Sequence, residues 1–471
     1  MTKQLSKGQA LEQKLRYKKQ NVWEKLSPEE TKAVFALGEK YRDYLSQVKT
    51  EREAVAFMLS RAQAAGFQDL DTIKKLRPGQ KFYVAHRQKV LLLGVAGQRP
   101  LGEGLRLVGS HLDAPRLDLK PHPLYESDGL ALLKTHYYGG IKKYQWPAIP
   151  LALHGVVLKA DGTALNLVIG EREEEPVFTV TDLLPHLARE QMEKTMKEGI
   201  KGEDLNILAG SIPYPDEEVQ EKVKLAVLNH LYEKYGLVEE DLVSAEVELV
   251  PAGPARDVGF DESLIGGYGQ DDRACAFTAF EAIMEVEKPV HTALAFFVDK
   301  EEIGSTGNTG AQSRFLEYAV ARLGALAGET TLEEVYRIFD RTTALSADTL
   351  AAMDPSWPNV LDKFNAPVLG HGVVIMKYSG SGGKYDTSDA HGETVFSVRK
   401  LFQDKGIIWQ TGELGKVDQG GGGTIAQFLA KTGMDVLDCG PALLSIHSPF
   451  EIASKADIYM ATKAYRVFLQ N

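Results

Sequence analysis

A chain of 471 residues exceeds what one ordinary hydrophobic core covers, so two domains are expected. Its composition is globular, with 44% hydrophobic and 25% charged residues, and no apolar run approaches the roughly 20 residues of a membrane span. Acids outnumber bases by 65 to 54, and the resulting net charge of −11 disfavours nucleic acid or an anionic membrane as the main partner.

The opening stretch MTKQLSKGQALEQKLRYKKQNVWEKL mixes lysines with glutamates and lacks an apolar signal core, so a cytoplasmic address is expected. The N-terminal region to about residue 75 reads as helical, most plainly from Ser27 to Gly66. Ser27-Pro28-Glu29-Glu30 is a capped start, Gly66 is a stop, and Val34, Leu37, Tyr41, Tyr44 and Leu45 recur at helical spacing. KFYVAHRQKVLLLGVAG and LRLVGSHLDAP then read as strands between Gly/Pro turns. PAIPLALHGVVLKADGTALNLVIG alternates around Asp161-Gly162, a β-hairpin signature. Lys/Glu-rich stretches near 182–200 and 216–235 read as helices, and SAEVELVPAGPARDVGF as a strand.

After residue 260 helices and strands alternate. DDRACAFTAFEAIMEV precedes TALAFFVD, TTLEEVYRIFDRT precedes TALSAD, GTIAQFLAKTG precedes MDVLDCG, and SKADIYMATKAYRVFLQ closes the chain. The simplest architecture is one α/β domain, residues 1–114 and 260–471, interrupted by a β-rich second domain, residues 115–259. Cys275 and Cys439 lie far apart in apolar surroundings and are expected to be buried and reduced.

The chemistry-bearing residues share a kind of place. His111 and Asp113 follow LRLVG, Glu301 and Glu302 follow LAFFV, Asp348 follows TALSA, and His447 follows CGPALLSI. Asp271 and Asp272 stand just before a helix. In an open α/β sheet, ligands collect beyond the carboxyl ends of the strands. Imidazoles and carboxylates in such numbers suit Zn²⁺ and related divalent ions. Adjacent carboxylates at the mouth of a buried strand cannot both ionise cheaply unless cations neutralise them. A division of labour resolves the crowding: Glu302 ligates, and Glu301 takes a proton from the attacking water. Two ions side by side need a bridge, for which Asp271 is a good candidate. Each cluster alone has a plainer explanation, such as a surface histidine, a helix cap or a solvated loop. Their conjunction is what argues for a metal centre.

The ordered motifs GSHLDAPRLDLK, YYGGIKKYQW, LLPHLA, GQDDR, DKEEIGS, LSADT, GGGGTIAQ and DCGPALLSIHS resemble those of the M18 metallopeptidases. That family includes aspartyl aminopeptidase and vacuolar aminopeptidase I, and the likeness covers nearly the whole chain. It implies a zinc-exopeptidase-like α/β/α sandwich carrying an inserted β-rich dimerisation domain. It also implies a di-zinc-dependent aminopeptidase acting on peptides with a free N-terminus. On this resemblance His111 and Asp348 hold one ion, Glu302 and His447 the other, and Asp271 bridges them. Asp113 steers His111, and Glu301 is the general base. Two Zn²⁺ per subunit are implied, with Co²⁺ or Mn²⁺ as substitutes. Homodimers assembling into a homododecamer are implied too, with His186 of LLPHLARE reaching substrate in a neighbouring subunit.

Departures from the family pattern bear on specificity. Many relatives follow the SAD motif with a run close to M-A-H-A-V-H-P-N. Here TLAAMDPSWPN places Ala352 and Asp354 at or near the two histidine positions. The loop VVIMKYSGSGGKYDTSDAHGE is longer than in aspartyl aminopeptidases, so either Lys377 or Lys384, or neither, reads an acidic side chain. His391 in that loop reads as a surface histidine. Two other functions compete: a di-metal amide hydrolase acting on N-acyl amino acids, and a non-catalytic peptide-binding scaffold. Glu301 and the five ligand positions argue against the scaffold.

Overall fold

The strand Thr292–Val298 has no solvated face: all of its 7 residues are buried. Strand side chains alternate, so such a strand must lie between two layers. Ala293, Ala295 and Phe297 join one core, while Leu294, Phe296 and Val298 join another. The first core is closed by helices Pro28–Gln47, Glu51–Ala64, Gln270–Met284, Gly392–Asp404 and Lys455–Gln470. The second is closed by Phe315–Ala327, Leu332–Asp340 and Ala426–Ala430. The computed structural model, which describes residues 6–471, is thus the expected α/β/α sandwich.

The sandwich is built on a nine-stranded sheet. Its order is Gln68–Asp69, Lys81–His86, Val90–Val95, Thr292–Val298, Leu105–His111, Thr343–Ser346, Asp435–Gly440, Val373–Met376 and Trp409–Thr411. The centre is parallel. Leu105–His111 pairs with Thr292–Val298 on one side and Thr343–Ser346 on the other, and the latter pairs with Asp435–Gly440. Parallel pairing aligns carboxyl ends: Val298 lies opposite His111, and Ser346 opposite Gly109. The segments carrying His111, Glu301–Glu302 and Asp348 therefore leave the sheet side by side.

A six-stranded antiparallel sheet draws only on the middle of the chain. Its order is Ala164–Ile169, Leu151–Leu158, Glu246–Pro251, Arg116–Ser127, Leu130–Tyr138 and Ile207–Gly210. Leu117, Trp146, Leu151, Val157 and Leu249 give it a core of its own. Where it meets the sandwich, buried charges are paired, as burial demands. Glu51 lies 2.7 Å from Lys89 Nζ and 3.5 Å from Arg116, which also reaches Glu248 at 3.3 Å. His154 sits between Glu53, 2.7 Å away, and Glu171, 2.9 Å away.

A third sheet, of five strands, joins Arg256–Val258, Leu264–Gly267, Glu451–Ser454, Ala442–Leu444 and Leu350–Ala351. It sets Gly267 opposite Glu451, which brings the segment before Asp271 beside the segment after His447. No helix among the described residues is long and apolar enough to cross a membrane. Both cysteines are buried and free.

Several elements differ from the sequence reading. The region read as helical to about residue 75 holds two helices between Pro28 and Ala64, because Thr50 and Glu53 form a second capping box that restarts the chain after Gln47. It stops there, since Gln68–Asp69 pairs as an edge strand with Lys81–His86. The stretch near 182–200 is helical only over Arg189–Met192. Its apolar Leu183, Leu184, Leu187, Met192 and Met196 are exposed, so no packed face supports a longer helix. The stretch 216–235 becomes helical only at Lys222, where Glu126 accepts the N–H groups of Val223 and Lys224 at 2.8 and 3.0 Å. The strand expected over 244–260 breaks at Gly253-Pro254, and its halves enter different sheets. The hairpin at Asp161-Gly162 forms as expected, with Leu151–Leu158 paired to Ala164–Ile169.

Candidate metal centre

His111 ends its strand with its ring buried, 1% of the residue exposed. Its Nδ1 lies 3.0 Å from the Asp113 carbonyl oxygen and 3.3 Å from Asp113 Oδ1, so Nδ1 is the proton-bearing nitrogen and Nε2 faces the cluster. Asp113 does more than orient this ring. Its Oδ1 accepts the Glu301 N–H, and its Oδ2 accepts the Glu302 N–H, both at 3.1 Å. The Tyr138 hydroxyl also donates to Oδ2, at 2.8 Å. One buried carboxylate thereby ties the histidine loop to the glutamate pair.

Asp271 lies just ahead of the helix that Arg273 continues; Asp271 and Asp272 have non-helical backbone angles. Gly269, at φ +69°, precedes them, and a Cβ there would fall 1.5 Å from the Arg273 guanidinium, so the turn requires glycine. Asp272 is fully buried, and its Oδ2 accepts the His111 N–H at 3.2 Å. On the far side, His447 has φ +64°. Its N–H donates to Glu451 Oε1 at 2.7 Å, and its Nδ1 donates to the Gly140 carbonyl at 2.9 Å, leaving Nε2 toward the cluster. The glycines of YYGG allow this approach. A Cβ on Gly139 would lie 3.3 Å from Glu302 Cβ, and one on Gly140 would lie 3.3 Å from His447 Nδ1.

These tethers converge the ligand atoms. Asp271 Oδ1 is 3.3 Å from His111 Nε2, and Asp271 Oδ2 is 3.2 Å from His447 Nε2. Glu302 Oε1 is 3.2 Å from His447 Nε2, while Asp348 Oδ1 and Glu301 Oε2 are 4.0 and 3.9 Å from His111 Nε2. His111, Asp271 and Asp348 offer ligand atoms within 4.8 Å of one another, and so do Asp271, Glu302 and His447. The same holds for His111 with Glu301 and Glu302, so Glu301 approaches His111 as closely as Asp348 does.

The donor set fits divalent cations on its own chemistry. Asp271 Oδ1 and Glu302 Oε1 are buried and accept no hydrogen bond, a costly condition for a carboxylate unless a cation faces it. The titration behaviour of the cluster points the same way. Burial pushes the Glu301 carboxyl up to about 8, with Glu302 adding to the rise and His111 opposing it. Burial also raises Glu302 and Asp348, and the Asp271 charge adds to both. Burial works against a charged His447, yet Asp271 and Glu302 push that ring up to about 12. Acids crowded in this way are relieved by cations.

The other candidates lie apart from this cluster. His186 is exposed on a turn and lines a groove with Pro147, Asp182 and Gln191. Lys377 and Lys384 both pair with Asp389, the latter at 2.9 Å. Ala352, at or near a position where many relatives are expected to carry histidine, is buried among Leu350, Val374, Met376 and Ala442. Asp354 accepts the Ser356 N–H at 2.8 Å in a local turn. His391 is exposed at the start of helix Gly392–Asp404. The sequence reading missed Tyr138 and Glu451. Tyr138 lies in the YYGG motif, whereas Glu451 in SPFEIAS carries no local signal.

Comparison with known proteins agrees with this geometry. The profile of the family described as aminopeptidase I zinc metalloprotease (M18) matches residues 44–469. A probable M18 family aminopeptidase 1 from Clostridium acetobutylicum is 50% identical over 455 residues, 96% of this chain and 98% of the relative. The crystal structure of an M18-family aminopeptidase from Thermotoga maritima superposes with a TM-score of 0.93 at 47% identity, covering 97% of this chain and 100% of the other. The mApe1 dodecamer of S. cerevisiae shares the fold, with a TM-score of 0.73 at 21% identity over 92% of this chain and 96% of the other. The chain belongs to the M18 family of zinc metallo-aminopeptidases.

Proposed function

We propose that the chain is a di-zinc aminopeptidase in which Asp271 bridges the two sites. His111 and Asp348 complete one site, Glu302 and His447 the other, and Glu301 is the general base. The observation that carries this reading is the division of the Asp271 carboxylate between two histidines, 3.3 and 3.2 Å away. When bound, the ions would polarise the scissile carbonyl and lower the pKa of the attacking water.

The side chains then have distinct tasks. Among the described residues, no group donates a hydrogen bond to the Glu301 carboxylate, which keeps 17% of its side chain exposed. It is free to accept a proton from water and return it to the leaving amine. Asp113 fixes where that carboxylate stands by accepting the Glu301 N–H. Pairing of Lys377 and Lys384 with Asp389 weighs against either one reading an acidic first residue.

The middle sheet is the proposed dimerisation element, and His186 the residue offered to a neighbouring subunit. Its exposed apolar neighbours Leu183, Leu184 and Leu187 support a covered position in an assembly. The dodecameric fold relative supports a homododecamer. Two free, buried cysteines fit a cytoplasmic setting.

Zinc analysis together with Glu301→Gln tests the core of the reading. Two ions per subunit are expected in both proteins, with kcat on aminoacyl-p-nitroanilides down by about 10²–10⁴-fold in the variant. One ion per subunit, undiminished turnover, or a preference for N-acyl amino acids would each sink it.

A further inference from the structure

We infer that Glu451 is a positioning residue for the metal centre, a buried carboxylate that locks the main chains of Asp271 and His447 to each other. The inference rests on the di-metal reading above, in which these two residues share one ion.

Glu451 is 1% exposed and opens the strand Glu451–Ser454. Its Oε1 accepts the N–H of His447 at 2.7 Å. Its Oε2 accepts the N–H of Asp271 at 3.1 Å and that of Gln270 as well. The Gln270 side chain returns a hydrogen bond to the Glu451 carbonyl at 2.6 Å and gives another to the Ile265 carbonyl at 3.1 Å. The Tyr41 hydroxyl donates to the Gln270 amide oxygen at 3.0 Å. Both carboxylate oxygens of Glu451 are thus turned toward a segment that carries a ligand residue.

This arrangement has a physical purpose. Asp271, in the non-helical entry of its helix, and His447, in a turn, have no direct main-chain bond between them, yet Asp271 Oδ2 and His447 Nε2 must stay within reach of one ion. His447 also has φ +64°, a backbone conformation that side-chain-bearing residues rarely adopt. Its ring is oriented by the Gly140 carbonyl, but only Glu451 fixes its N–H. A neutral amide of the same shape could accept from one loop only, because its NH₂ would face the other loop's N–H. Of the two ligand sets, Asp271–Glu302–His447 contains both clamped residues and His111–Asp271–Asp348 only one.

Glu451→Gln in the full chain tests this, read by Zn²⁺ binding in chelator-buffered solution and by the absorption of the Co²⁺-substituted protein. The metal-free variant should keep the wild-type near-ultraviolet circular dichroism. One Zn²⁺ equivalent should weaken by about 10–100-fold, the other by less than about tenfold. The Co²⁺ bands of one site should shift while those of the other hold. Equal affinities in variant and wild type overturn the inference, and so does equal weakening at both sites, which marks general damage. If the glutamine variant does not fold, hydrogen exchange of the metal-free wild type decides. The amides of Asp271 and His447 should be protected to the same degree, and rapid exchange at either overturns the clamp. A wild type that binds one ion refutes the di-metal reading separately.

Discussion

The Tyr138 hydroxyl donates to Asp113 Oδ2 at 2.8 Å, so the six-stranded sheet touches the carboxylate that holds His111 and the glutamate pair. The Arg116 guanidinium lies over the Tyr138 ring, 4.0 Å from its centroid, and is itself ion-paired to Glu248 and Asp118. A continuous chain of contacts runs from the junction of the two sheets to the candidate base.

Tyr138→Phe removes the hydroxyl and leaves the stacked ring. A hydrogen bond to a charged acceptor is worth about 1.5–3 kcal/mol, so kcat/KM should fall by about 10–100-fold. Zinc content should stay at the wild-type level, since no ligand is lost. Steady-state kinetics beside metal analysis checks this, and loss of zinc would show that the phenol supports ligation instead.

Asp271 and His447 should differ in what their removal costs. Asp271→Asn weakens a group shared by both sites, and both ions should be lost on dialysis. His447→Ala touches one site, and about one equivalent should remain. Zinc analysis after equilibration against a weak chelator separates the outcomes. Equal loss in both variants would remove Asp271 from the bridging role.

His186 should act only across subunits. His186→Ala should lower turnover by about 10–100-fold with zinc unchanged, in keeping with a lost donor to developing charge. Mixed oligomers of His186→Ala and Glu301→Gln chains should regain part of the activity. Mixtures no more active than their parents would confine His186 to a structural part.

The junction should be sensitive to alkali through His154. Burial opposes a charged ring there, but the bonds to Glu171 and Glu53 outweigh it, and the folded pKa is raised. A histidine whose folded pKa is raised stabilises fully below its unfolded value of about 6.5, and loses that contribution as pH rises through the folded value. Urea unfolding between about pH 6 and 9 should therefore show a steeper alkaline loss for wild type than for His154→Gln. Identical pH profiles would exclude His154 as the sensor.

Much of this was legible from residue order. Strands ending in acids or histidines announced themselves through composition, because a buried parallel strand is a short apolar run and its carboxyl end is where polar residues resume. The hairpin at Asp161-Gly162 was equally plain, being set by turn chemistry within a few residues. The stretch near 182–200 misled because a Lys/Glu-rich composition suits a helix, while its apolar Leu183, Leu184 and Leu187 stay exposed and give a helix no packed face. Ala352 was visible as a departure, but its burial in an apolar cluster was not.

By itself the sequence determined which residue types stand at the strand ends and in what order, since these follow from local patterning and covalent spacing. Only the tertiary structure decided that Asp271 faces two histidines, that Tyr138 reaches Asp113, and that Glu451 binds the main chains of Asp271 and His447. Those contacts join residues distant along the chain through hydrogen bonds a few ångströms long. Their geometry is set by sheet register and by burial, which no local pattern encodes.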